Sequence, residues 1–289
     1  MEGTGQPGAH EDLTVAVIHY QTPELLRRCL PLVRTAAPKA KLLVIDTSER
    51  DPLEPADLDP ALGARLIRQP NHSYAAAVNR GIVETTTSRF VQMNADVLVE
   101  PQTFHHLARA IDATGAAMAG PLPYTEGREP QNQGLPYRWH QRRARRRGIT
   151  AVPWLSGCLQ YLRTDAIGRV GGMDESLRFY NEDLEWCLRL RRAGEQCVLV
   201  DTPVVHIGGA STTTAVKPLV EGFRGGFQVT RRYYGPLATL AHRYAVLAYA
   251  SLKSRTSRDE QEREAFAQIR RMFWRGNFDE SPFGETLSS

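Results

Sequence analysis

Residues 14–19 (TVAVIH) form a short apolar run that ends at a polar turn, the pattern of a strand buried on both faces. The runs 41–46 (KLLVID), 64–68 (ARLIR) and 89–93 (RFVQM) repeat it. Between them the spacing of apolar positions lengthens to that of helices. Thr22-Pro23-Glu24 opens the first, with Thr as cap and Pro at the first helical position. Residues 73–85 read as a second, starting at Ser73 and carrying Ala-rich packing positions, and Pro101 begins a third that reaches about Gly115, followed by a strand at 116–120. Strand and helix in alternation predict an α/β fold with a mostly parallel central sheet and flanking helices. Ligands of such sheets sit beyond the carboxyl ends of the strands, where Asp46, Asp96 and Asp201 fall.

The segment 121–150, with Pro121, Pro123, Pro130 and Pro136, reads as a long loop. Order resumes at 151–162 (AVPWLSGCLQYL), then a short helix, a helix at 182–193 and a strand at 197–201, with His206 beyond it. From 216 to about 275 the pattern is helical and basic. Within it, 236–252 (PLATLAHRYAVLAYASL) is interrupted by His242 and Arg243, and a charge at the centre of a bilayer costs about 2.5 kcal/mol or more, so this helix does not span one. Two readings stay open: a helix packed on its own domain, or one lying on a membrane surface with Arg231, Arg232, Arg243, Lys253 and Arg255 around its apolar residues. Residues 1–12 are polar and Gly-rich, with no secretory-signal pattern, and are expected to be disordered. The predicted organisation is a domain at 13–215, a helical extension at 216–276 and a flexible tail at 277–289.

Composition narrows the classes. At 289 residues and 42% hydrophobic, the chain buries a full core without staples, and four cysteines with no CxxC pair speak against a zinc ribbon or a disulfide scaffold. Basic residues exceed acidic ones by 36 to 32, but six of the arginines (Arg138, Arg142, Arg143, Arg145, Arg146, Arg147) crowd into one segment without an acid. Without them the balance is 30 to 32, so a general nucleic-acid-binding surface is disfavoured.

Four segments carry possible chemistry. Asn94-Ala95-Asp96 follows a strand, where a carboxylate reaches a divalent ion and a diphosphate, although Asn and Asp are also ordinary turn formers. Asn181-Glu182-Asp183 opens a helix as a cap and two first-turn acids do, yet two adjacent carboxylates driven apart in pKa also suit acid–base work. His206 precedes Ile207-Gly208-Gly209-Ala210-Ser211, a backbone able to approach phosphate closely. Trp154-Leu155-Ser156-Gly157-Cys158 fits a packed strand or a pocket wall. GxGxxG, GxxxxGK[ST], HExxH and GxSxG are absent.

Taken together, VAVIHYQTPELLRRCL, LLVIDTSERD, NHSYAAAVNRGI, MNADV, WLSGCLQYLR, GGMDESLRFYNEDLEWCLRLRRAG and VVHIGGAS, in this order from about Leu13 to Ser211, resemble the family 2 inverting glycosyltransferases of the GT-A fold, in particular a bacterial, rhamnosyltransferase-like branch. The resemblance implies a Rossmann-like sheet and transfer of a sugar from a nucleotide-diphosphate donor, with dTDP-rhamnose the family's lean. The acceptor would be a hydroxyl of a glycan, a lipid-linked glycan or a polysaccharide of the cell envelope. It places Tyr20, Asp46, Asn79 and Asn94 at the nucleotide, Asp96 and His206 at Mg²⁺ or Mn²⁺, Asp183 as general base with Glu182 beside the acceptor, and Trp154 and Gly157 in the acceptor and donor-sugar pocket. The sequence departs from that family at His19 and Gln21, which flank Tyr20, at Thr47 and at Ser73. A cytoplasmic location, with peripheral membrane contact and no nucleic-acid partner, goes with this reading. A nucleotidyltransferase of similar fold and a non-catalytic module that binds anionic polymers through the arginine segment stay open as alternatives.

Overall fold

The computed structural model describes residues 11–131, 135–208 and 216–284, with the backbone alone for 135 and 136. They divide into two compact units. The first takes in the chain up to Asn71, Ala76–Met173 and the segment from Trp186; the second takes in His72–Ala75, Asp174–Glu185 and the C-terminal helices.

In the first unit β1 (Leu13–His19), β2 (Lys41–Asp46), β3 (Ala64–Arg68) and β4 (Arg89–Asn94) pair in parallel, in the order β3-β2-β1-β4. Every side chain of β1 is buried, because helices cover both sheet faces. α1 (Pro23–Ala36) turns Leu26, Cys29, Leu30 and Val33 inward at helical spacing, with Pro23 in the first turn, where a missing N–H leaves no bond unmade. α2 (Tyr74–Val83) and α3 (Thr103–Thr114) complete the alternation, and Gly115, at φ 69°, ends α3 in the left-handed conformation open to glycine.

Beyond β4 the sheet becomes mixed. After the short β5 (Val97–Leu98) come β6 (Met118–Tyr124), β7 (Ile149–Val152), β8 (Leu159–Arg163) and β9 (Cys197–His206). The order continues β4-β8-β6-β9-β5, with β7 also on β9; β8 is antiparallel to β4 and β6, β9 is parallel to β6, and β5 and β7 are antiparallel to β9. The predominance of parallel pairing predicted from the alternation therefore holds only as far as β4. β9 continues five residues past the expected strand end, because a register shift in β6 between Gly120 and Leu122 lets Pro203 join without a ladder N–H. His206 is the last residue of this strand, and Asp201 lies exposed in its middle instead of at its end.

The expected loop at 121–150 is corrected more fully. Residues 118–124 form β6, and α4 (Leu135–Arg147) carries the arginine run. Pro136 falls in the first turn of α4. Tyr137, Gln141 and Ala144 are buried at i, i+4 and i+7, a stripe too narrow and too polar to register as amphipathic in a segment dominated by arginine. Two more elements follow, α5 (Thr164–Val170) and α6 (Glu182–Arg192).

In the second unit α7 (Val216–Tyr233), α8 (Gly235–Thr256) and α9 (Glu260–Arg275) enclose a core of Val220, Phe227, Val246, Phe266, Ile269 and Phe273. The expected tail at 277–289 is not loose in its described part: Phe278 is buried against Phe227, ring centroids 4.1 Å apart, and its carbonyl accepts from Arg224 and Gln228. Of the expected disordered N-terminus, 1–10 lie outside the described residues, whereas Asp12 accepts the Ser88 amide at 2.8 Å. The division expected at 215/216 also differs, since Asp174–Glu185 belongs with the C-terminal helices.

Candidate active site

The parallel pairing brings His19, Asp46 and Asn94 to one sheet edge, with His19 opposite Asp46 and Ile18 opposite Asn94. Tyr20, half-buried, follows His19 there. Asp46 does not present its carboxylate to a ribose. It is 1% exposed; Oδ1 accepts His19 Nδ1 at 2.9 Å and the Ser48 amide at 3.0 Å, and Oδ2 accepts the Leu53 amide at 2.8 Å. Burial raises its pKa, but these donors, His19 foremost, outweigh it and hold the group at about 2. His19 Nε2 accepts the Thr22 amide at 3.1 Å, which puts the ring proton on Nδ1, facing Asp46. The departure from the family pattern at His19 therefore explains why Asp46 is engaged internally.

At the same edge, Asn94, Asp96 and His206 converge. Pairing of Val97 with His206 puts Asp96 beside the end of β9, where its Oδ2 accepts the Gly208 amide at 3.0 Å and its Oδ1 stands 3.5 Å from His206 Nε2. Burial pushes Asp96 up, but His206 and the Gly208 amide more than offset it, so the carboxyl stays below its ordinary range. Gln131 Oε1 lies 2.8 Å from His206 Nδ1 and accepts its proton, which leaves Nε2 as the ring nitrogen facing Asp96. Asn94 Nδ2 is 3.4 Å from the same Nε2, and its Oδ1 is buried with no partner. A carboxylate, an imidazole nitrogen and an orphaned amide oxygen form a donor set that fits a divalent cation. Among the described residues no group of three or more His, Cys, Asp or Glu gathers, so Asp96 and His206 would hold such an ion through a minority of its ligand positions. Gly209, Ala210 and Ser211 lie outside the described residues.

Asn79, expected at the nucleotide, has its side chain engaged with the backbone of its own unit. Its Nδ2 donates to the Met173 carbonyl at 2.9 Å and its Oδ1 accepts the Met173 amide at 2.8 Å, a two-way clamp on the chain. A Cβ on Gly172 would come within 2.2 Å of Asn79 Oδ1, so the clamp requires glycine there. Trp154 meets Tyr137 edge-on with centroids 4.9 Å apart, and its indole N–H is buried with no acceptor. The Gly157 carbonyl accepts Gln92 Nε2 at 3.0 Å; Gln92 also donates to Gln160, and Gln160 to the Leu155 carbonyl. This buried amide relay holds the Trp154–Gly157 turn. Gln92 and Gln160 were readable as polar intrusions in RFVQM and LQYL; Gln131 had no sequence signal.

In the second unit the chain reaches Glu182 through two left-handed residues, Tyr180 at φ 67° and Asn181 at φ 72°. A bulky aromatic in this conformation is an outlier, maintained only where surroundings over-determine it. Those surroundings are α7. Asn181 Nδ2 donates to the Gly222 carbonyl at 2.9 Å instead of capping α6, and a Cβ on Gly225 would lie 3.1 Å from that nitrogen. Gly222 and Gly225 thus let α7 approach the turn, and glycines inside a helical pattern were the signal for it. Arg224 fastens the same segment, donating to the Ser176 carbonyl at 3.1 Å and forming a fully buried pair with Glu221.

Glu182 and Asp183 then open α6. Asp183 is half-buried, with Oδ1 accepting the Leu184 amide at 2.7 Å. Glu182 is buried, and its Oε2 has no partner. Burial, the charge of Asp183 and, more weakly, Glu221 push it up to about 8, so it is largely a neutral acid at pH 7. Two adjacent carboxyl groups with unlike surroundings are an arrangement suited to proton transfer.

This sheet order, with its acidic carboxyl edge, defines a GT-A glycosyltransferase fold. The glycosyl transferase family 2 profile matches residues 14–171, more than half of the chain, and the protein belongs to that family. Solved structures with the same fold include GalNAc-T7 with UDP, GalNAc and Mn²⁺ (15% identity, TM-score 0.61, covering 92% of this chain and 56% of that one). Others are the mannosyltransferase PcManGT from Pyrobaculum calidifontis with GDP-Man and Mn²⁺ (14%, 0.61, 94% and 88%) and S. aureus TarS (11%, 0.54, 90% and 43%). The chain therefore spans little more than half of GalNAc-T7 and less than half of TarS. No curated protein matches the sequence. Family membership supports a glycosyltransferase over a nucleotidyltransferase. Among the described residues no helix is long and apolar enough to cross a membrane.

Proposed function

We propose that the protein is an inverting glycosyltransferase that takes a sugar from a nucleotide-diphosphate donor and attaches it to a hydroxyl of a glycan, lipid-linked or polysaccharide acceptor. The observation that carries this is the Asp96–His206 pair with its orphaned Asn94 oxygen at the carboxyl edge of a family 2 sheet. Asp96 and His206 hold Mg²⁺ or Mn²⁺, an assignment supported by Mn²⁺ in two structures of this fold. Such an ion, when bound, neutralises charge on the departing diphosphate. Gln131 keeps His206 in its ligating tautomer. Tyr20 lies along the nucleotide, and Trp154 offers its indole N–H to the sugar or acceptor. Asp183 accepts the proton of the acceptor hydroxyl as that oxygen attacks the anomeric carbon, and Glu182, kept neutral, donates a hydrogen bond from its buried carboxyl.

The test is a panel of UDP-, GDP- and dTDP-sugars, headed by dTDP-rhamnose, scored for hydrolysis and transfer with Mg²⁺ or Mn²⁺. At least one donor is expected to turn over in a metal-dependent manner, and Asp183→Asn to bind that donor without transferring it. Near-normal turnover by this variant would remove Asp183 as the base.

A further inference from the structure

The second unit carries a helix whose polarity is inverted for a protein in water. α8 packs Val246 and Ala250 into the core. Its opposite face is also apolar: Leu237, Leu240, Ala241, Tyr244, Ala248 and Leu252 recur at helical spacing and are all exposed, the leucines and Tyr244 by 51–84%. The polar residues that would ordinarily cover this face are turned into the bundle. His242 faces Thr230 at 2.7 Å, Arg243 donates to the Phe273 and Trp274 carbonyls, and Lys253 pairs with Glu262. From Leu237 to Leu252, about 22 Å along the axis, the outward stripe has no charge. Trp274 of α9 is exposed as well.

The charges at the ends of the stripe identify its occupant. Arg231 and Arg232 precede α8, where they pair with Asp279 and Asp174, and Arg255 and Arg258 follow the stripe, with no acid in sequence anywhere between Gly222 and Arg258. The acids that come next are used internally, Asp259 capping α9 and Glu262 pairing with Lys253. A second copy of the chain laid along this stripe, parallel or antiparallel, would set arginines against arginines at both ends. An anionic lipid surface meets the same ends with opposite charge and takes up leucine and tyrosine side chains at headgroup depth. We infer that α8 is an in-plane membrane-docking helix, lying on an anionic bilayer through Leu237, Leu240, Tyr244 and Leu252, with the basic ends on lipid headgroups. The helix is too polar inside to span, so docking is peripheral and reversible.

Co-flotation of the full chain with vesicles tests this without any assay of transfer. Binding is expected to vesicles containing about 30 mol% phosphatidylglycerol, to weaken at high salt, and to be far weaker on phosphatidylcholine alone. Leu237→Glu/Tyr244→Glu/Leu252→Glu, all at exposed positions, is expected to lower partitioning about tenfold or more with the melting temperature retained. Leu237→Ala/Leu252→Ala, which adds no charge, should lower it several-fold. Failure of the wild type to float with anionic vesicles at low salt overturns the inference, as does equal flotation of the glutamate variant. A dimer in sedimentation equilibrium that this variant dissociates also overturns it, by giving the stripe to a second copy.

Discussion

Asp96 and Glu182 are both carboxyl groups largely withdrawn from water, and the structure drives them in opposite directions. Asp96 faces His206 and the Gly208 amide, which hold it below its ordinary range against the effect of burial. Glu182 faces Asp183 and Glu221 with one oxygen unpartnered, and rises to about 8. Burial is common to both, so it does not set the outcome; the sign of the nearest partners does. One group is kept as an anion suited to a cation and a diphosphate, the other as a neutral donor beside a base. Asp46 is a third case, an anion held by three donors within its own unit.

The largest effect is expected at Asp183, whose charge raises Glu182. Asp183→Asn is expected to lower the transfer rate by about 10²–10⁴ while donor binding persists, measured by turnover and by donor titration. On the other side, Gln131→Ala leaves both ligands in place but frees the His206 ring to change tautomer. Metal affinity is expected to fall about 10–100-fold, read by titration with Mn²⁺, and an unchanged affinity would reduce Gln131 to a packing role.

The next two outcomes are differences in stability, with opposite signs. Glu182 binds its proton more tightly folded than unfolded, so wild-type stability is expected to decline as pH rises from about 4.5 to about 8. Glu182→Gln should flatten that part of the melting-temperature profile; an identical profile would show that the carboxyl is not held up. Asp46 behaves in reverse. Its stabilising effect is complete above pH 3.8 and disappears as pH falls toward 2, an effect of roughly 2 kcal/mol. Asp46→Asn should therefore melt earlier at pH 7 and converge with the wild type in acid.

Legibility followed the range of the interactions. β1, β2 and β4 are strands buried on both faces, and unbroken apolar runs mark them without any knowledge of neighbours. α4 was hidden because its inward stripe is only Tyr137, Gln141 and Ala144, and the arginines between them favour a helix without announcing one. Asp96 and His206 were found from motif order, and the structure brings them together. Asp46 and Asn79, which the same order sets at the nucleotide, bond to His19 and Met173, contacts 27 and 94 residues away in sequence that no local pattern shows.

By itself the sequence determined the alternation of strands and helices in the parallel half, the family, and the acidic residues able to carry the chemistry. These depend on local periodicity and on residue type. Only the tertiary structure decided how each acid is held: Asp96 by a histidine on a distant strand, Glu182 by a turn that α7 forces into left-handed backbone, Asp46 by a neighbouring strand. It also decided that Arg243 and Lys253 of α8 turn inward while Leu237, Leu240 and Leu252 turn outward. The physical reason is the same in each case, since a side chain's protonation and exposure depend on partners that folding brings from elsewhere in the chain.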